Sequence, residues 1–142
     1  MTLDLDTARR IVAGVRGHAA EAGFKPMTVV VLDAGGHVVA VEREDGSSMS
    51  RFEIGYGKAY GALALGMGSR SIMGRAEQQP FFIAAVTSAV GGSLVPVPGG
   101  VLIRDSEGLL LGAVGVTGDT SDNDETAAVA GIEGAGLTAQ TD

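Results

Sequence analysis

One lysine in an apolar stretch, two histidines and three arginines are the side chains of this sequence best suited to chemistry. Lys58 stands between Gly57 and Ala59, with Tyr56 and Tyr60 two residues to either side. An amine held away from water is easier to deprotonate, so such a lysine can act as a base or hold a carboxylate. The same placement suits an ion pair with Glu53 or with a carboxylate on a hairpin, locking helix to sheet. His18 follows Ile11 by seven residues and Val15 by three, on one apolar helical stripe. A neutral imidazole there can ligate a metal, or it can bond a backbone carbonyl or pack at an interface. His37 follows Gly36 in a turn, where solvation is the expected fate. Arg43, Arg51 and Arg104 can clamp carboxylates bidentately. Arg104 precedes the turn residue Asp105, which points it to the surface or an interface.

Some chemistries are excluded. There is no cysteine, hence no disulfide, thiolate nucleophile or Cys-based metal site. The two histidines lie too far apart for an HxxH, HxxxH or HExxH centre. Gly57-Lys58 is not a phosphate loop, because Phe52 and Ala59 occupy the positions of its first Gly and its Ser or Thr. Asp122, Asn123, Asp124 and Glu125 lack the Gly and terminal Glu of a calcium loop and read as a helix start. The turns holding Gly91-Gly92-Ser93 and Pro98-Gly99-Gly100 can bring bare N–H groups to an anionic ligand, or serve the backbone alone.

The elements that must position these residues carry an internal echo. Residues 27–45, MTVVVLDAGGHVVAVERED, and 97–119, VPGGVLIRDSEGLLLGAVGVTGD, follow one plan. Each is an apolar run, an Asp, a Gly-bearing turn and a second apolar run, the signature of a hairpin. Asp33 and Asp105 suit the start of each turn, where a short carboxylate accepts backbone N–H bonds. Gly35, Gly36 and Gly108 suit positive φ. Ala8, Ile11, Val12, Val15, His18, Ala19 and Ala22 mark a helix over residues 4–22, capped by Asp4 or Asp6 and stopped by Gly23. Residues 51–66 read as a helix despite Gly55, Gly57 and Gly61, each weakening it by about 1 kcal/mol relative to Ala. Close packing against a sheet or another subunit would compensate. A further helical region falls in two pieces, residues 71–79 and 80–90, the second opened by Pro80. Residues 122–134 form the last helix, with Asp122 and Glu125 at capping-box spacing. The order is α-β-β-α-α-β-β-α, in one domain over residues 1–142, without a linker.

Composition narrows function further. The net charge of −7 offers no basic footprint for nucleic acid or anionic membranes. No apolar run is long enough to span a bilayer, and MTLDLDTARR lacks the form of a secretory signal. A cytoplasmic protein is the expectation. Aromatics make up only 4% and Trp is absent, so the core must be aliphatic.

Together, VVLDAGGHVVAVERED, the helix with GKAYGAL, and VPGGVLIRDSEGLLLGAVGVTG followed by DNDE resemble the GlcG/HbpS family, which includes the C-terminal domain of PduO-type proteins. The resemblance spans nearly the whole chain. It implies an α/β (α+β) domain with a central antiparallel sheet flanked by helices, similar in outline to profilin- or PAS-like folds. It also implies a homo-oligomer, an octamer or smaller. Several relatives bind haem, so the resemblance makes haem a candidate cofactor, with His18 its iron ligand. Lys58, Arg43, Gly99 and Gly100 are the matching candidates for ligand contact. The sequence departs from the family pattern at Glu44, Pro98 and Asp119-Thr120, and Glu44 and Asp119 bring acid to the region that would line a site.

Three functions follow. The first is a homo-oligomeric module binding haem or a similar flat or anionic molecule. The second is an enzyme performing acid–base chemistry on a small organic acid, with Lys58 as catalytic base and Arg43 or a glycine turn holding the carboxylate. The third is an accessory subunit of a catabolic pathway. The shortage of aromatic rings argues against a tight porphyrin pocket.

Overall fold

The computed structural model describes residues 2–142. The helices are α1 (Leu5–Ala22), α2 (Arg51–Leu65), α3 (Ser69–Gln78), α4 (Pro80–Ala89) and α5 (Ser121–Gly134). The strands are β1 (Thr28–Asp33), β2 (Val38–Arg43), β3 (Gly100–Arg104), β4 (Leu110–Thr117) and β5 (Thr138–Gln140). All pairings are antiparallel, in the order β2-β1-β4-β3-β5.

Both hairpins form, and their turns match bond for bond. Asp33 Oδ1 accepts from Gly35 N and His37 N. Asp105 Oδ1 accepts from Glu107 N and Leu109 N. Gly36 and Gly108 each have φ of +83°. Gly35 departs from expectation, because its φ is not positive. The fifth strand was not expected. It pairs with β3 through Leu102, Ile103 and Arg104, and Arg104 Nε donates to Gln140 Oε1 at 2.6 Å.

Alternation along the strands separates two layers. Val29, Val31, Val101, Ile103, Val114 and Val116 face α1 and α5. Val30, Leu32, Leu102 and Ala113 face α2, packing on Ala59 and Ala62. The glycines of α2 find their compensation here. A Cβ on Gly115 of β4 would collide with the Gly55 carbonyl oxygen, so backbone lies directly on backbone. Gly57 and Gly61 instead make room for side chains, those of Val95 and Leu94.

Helix ends follow local chemistry. Asp4 caps α1, its Oδ1 accepting from Thr7 N at 2.8 Å, and Gly23 closes it in the left-handed region. The cap of α5 is Thr120 rather than Asp122, with Thr120 Oγ1 accepting from Asn123 N. On α1, Ala22 is exposed and His18 half-buried, so the buried stripe is narrower than expected. No helix of the described residues is long and apolar enough to cross a membrane.

Candidate functional site

Lys58 is the largest fully buried side chain, 2% exposed. It leaves α2 on the sheet side, three residues after Gly55. Its Nζ donates to Val116 O at 2.9 Å and to Asp124 Oδ2 at 3.1 Å. Asp124 belongs to the first turn of α5, on the other layer, so the pair joins the two layers around the end of β4. Asp124 Oδ1 accepts from Asp119 N at 2.9 Å. Burial pushes the Lys58 amine below its ordinary value, and the Asp124 charge opposes that shift. Burial likewise pushes the Asp124 carboxyl up, against the pull of Lys58. In both groups desolvation outweighs attraction, as is common for buried pairs.

Gly99 and Gly100 complete this cluster. Gly99 has φ of +124°, and a Cβ there would lie 2.5 Å from Val116 O and 2.8 Å from Lys58 Nζ. Gly100 N donates to Ser69 Oγ at 2.7 Å, at the start of α3. A Cβ on Gly100 would collide with the Lys58 carbonyl. Three of the sequence candidates, Lys58, Gly99 and Gly100, therefore meet in one place.

The other two stand apart. His18 lies on α1, half-buried, its ring edge-on to Phe24 with centroids 5.9 Å apart. Phe24 in turn lines an open cleft of about 370 Å³ with Arg16, Ala19, Ala20, Pro26, Glu44 and Asp45, and His18 itself is not part of that lining. Arg16 is already committed there, to Glu42 at 2.6 Å and Glu44 at 3.0 Å. Arg43 ends β2, and its Nη1 donates to Ser47 O at 3.0 Å. His37 is exposed, its Nδ1 3.1 Å from Asp33 Oδ1. Among the described residues no cluster of three His, Asp or Glu side chains could hold a metal ion.

The partner of Lys58 is neither Glu53 nor a hairpin carboxylate but Asp124, 66 residues away. A signal for it exists. Asp124 heads the buried stripe Asp124, Ala127, Ala128, Gly131 and Ile132, so helical spacing alone places its side chain inward. Ser69 carries no such mark.

The family model described as haem degrading protein HbpS-like matches residues 3–133. An uncharacterized 15.0 kDa protein from the dhaT-dhaS intergenic region of Citrobacter freundii is 27% identical over 132 residues, 93% of this chain and 91% of that protein. Among solved structures, Klebsiella pneumoniae ORFY superposes with a TM-score of 0.85 at 26% identity, covering 96% of this chain and 92% of that one. PduOC, solved as its complex with heme, gives 0.85 at 20% identity, with coverage of 96% and 97%. HbpS gives 0.78 at 24% identity, with coverage of 92% and 88%. At those identities PduOC and HbpS speak for the fold, while the family match spans nearly the whole length, and this chain belongs to the HbpS-like family.

Proposed function

We propose that the protein binds a small ligand, haem first among the candidates, as a homo-oligomer of eight copies or fewer in the cytoplasm. One observation carries the haem reading: His18 is half-buried and its ring stands edge-on to Phe24, which in turn lines the cleft. The donor set fits, since one imidazole next to an apolar wall is what haem iron and a porphyrin face require. His18 would hold the iron; Ala19, Ala20, Phe24 and Pro26 would line one face of the ring. Haem bound there would supply redox chemistry at iron. Glu44 and Asp45 at the same cleft would repel propionates, which directs those groups to the Arg43 side. The cleft covers one face only, so a second copy is needed to shelter the other. PduOC, a relative in fold, was solved with heme, and the family description concerns haem.

Helix α4 supports assembly. It carries no charged residue, yet Phe81 is 91% exposed, Phe82 45%, and only Ile83 is buried. An apolar helix left in water is a surface that a second copy would cover. The test is a haem titration of wild type beside His18→Ala, followed by absorbance and sizing. The expected result is a saturable Soret shift lost in the variant, on an oligomeric protein. No shift, or an equal shift in both, overturns His18 as ligand.

A second reading keeps Lys58 as the base of an enzyme acting on a small organic acid, with Gly99 and Gly100 beside it. The burial that lowers the Lys58 amine favours it; the Asp124 contact opposes it. Turnover surviving in Lys58→Met would end this reading.

A further inference from the structure

Next to the cleft of Phe24, with Pro26 common to both, a second cleft gathers two cationic side chains. The loop after α1 brings Lys25 and Pro26, the loop after β2 brings Gly46, Ser47 and Ser48, and α2 begins with Arg51. Between them lies a cleft of about 190 Å³. Among the described residues neither Lys25 nor Arg51 forms a side-chain ion pair, although the chain carries a net charge of −7.

Arg51 is aimed by neutral groups. Its Nε donates to Ser48 Oγ at 3.2 Å and its Nη1 to Thr117 Oγ1 at 2.8 Å. Hydroxyl partners fix the guanidinium plane without cancelling its charge, and they leave donors of its five N–H groups unspent. The α2 N-terminus adds its own polarity, because Ser50 makes no side-chain cap.

A second, independent sign is an orphaned hydroxyl on the cleft wall. Among the described residues two buried side-chain polar atoms lack a hydrogen-bond partner, Ser47 Oγ and Thr28 Oγ1. Ser47 lines the cleft. Thr28, fully buried, pairs across strands with Thr117 and does not line the cleft, so Ser47 alone bears on it. Orphaned hydroxyls of this kind are rare in folded proteins and call for a partner. Asp119, whose charge is felt by Lys25, has its oxygens engaged by Lys25 N, Thr120 N and Asn123 Nδ2, each at 2.8 Å.

We propose that this cleft binds a small oxyanion, the carboxylate or phosphate group of a metabolite, held by Arg51 and Lys25 with the Ser47 hydroxyl as a further donor. The volume lies below the roughly 300 Å³ at which drug-sized pockets begin, so it takes an anionic group rather than a whole large ligand. The site does not depend on haem, and Lys58 is not part of it.

Titration calorimetry with inorganic phosphate and, separately, succinate tests the proposal on wild type, Lys25→Gln, Arg51→Gln and Ser47→Ala. Saturable binding of one anion is expected, about tenfold weaker in Lys25→Gln and in Arg51→Gln, the size of one lost charge-assisted bond. Which anion binds separates phosphate from carboxylate chemistry. Lys25 is exposed, so its variant keeps the test valid should Arg51→Gln fail to fold. Ser47→Ala should bind more weakly while melting higher without anion, because it deletes an unsatisfied polar atom. Binding of neither anion, or binding unchanged in both charge variants, overturns the site.

Discussion

Breaking the Lys58–Asp124 pair one side at a time should destabilise the fold in two opposite pH patterns. Both side chains are 2% exposed, so a single substitution strands a charge inside the protein. In Asp124→Asn the ammonium keeps its bond to Val116 O and loses the negative charge that faced it. In Lys58→Met the carboxylate keeps its bond from Asp119 N. Stranding a buried charge costs about 3–5 kcal/mol, a fall in Tm on the order of 10–20 °C for a domain of this size. Asp124→Asn removes the charge that supports the ammonium, so the folded-state pKa of Lys58 drops further below 10.5. Between that value and 10.5 the unfolded chain binds more protons, so stability rises with pH. The deficit of this variant relative to wild type therefore shrinks in alkali. Lys58→Met instead lifts the Asp124 carboxyl further above 3.8. Between 3.8 and that value the folded chain binds more protons, so stability falls as pH rises, and this deficit shrinks in acid. Lys58→Met with Asp124→Asn removes both charges and should lose less than the two single losses added together. The assay is urea unfolding by circular dichroism at fixed protein concentration across pH. Additive losses in the double variant, or deficits that run the same way with pH, would refute the reasoning.

Two further substitutions test the packing and the turns. Gly115→Ala drives a methyl into the Gly55 carbonyl and should cost about 1–3 kcal/mol in urea unfolding, the usual range for overpacking. Gly108→Ala should cost about 1–2 kcal/mol from its backbone alone, since nothing lies within 4 Å of the added Cβ. Gly36→Ala, at the same φ, should cost more, because its Cβ would sit 3.1 Å from the Tyr60 ring.

Features written within a few residues were legible in the sequence. The Asp and Gly of each hairpin turn sit where local bonding needs them, and β1 to β4 followed. Asp4 and Gly23 bracket α1 for the same reason. Where two local patterns competed, spacing could not choose: Thr120 and Asp122 both offer a capping oxygen, and the chain uses Thr120. Strand β5 has three residues and no alternation of its own; only the open edge of β3 makes it a strand. The partner of Lys58 was hidden by distance along the chain. Local reading offered Glu53, on the same helix, whereas the real partner crosses from the opposite layer.

That crossing also explains Gly55 of α2. Three glycines weaken a helix, and a Cβ at Gly55 would meet Val30 at 3.2 Å and the Gly115 oxygen at 3.3 Å. Without it the helix backbone settles onto β4. Lys58, three residues on and on the same face, then starts close enough to the end of β4 to reach Val116 O and pass beyond it to α5. Gly99 keeps that path clear, since a side chain there would occupy the position beside Nζ. The loss in helix propensity and the buried ion pair are thus one arrangement. A larger residue at 55 would favour the helix while separating the layers that Lys58 and Asp124 hold together, and one at 99 would strain the backbone as well.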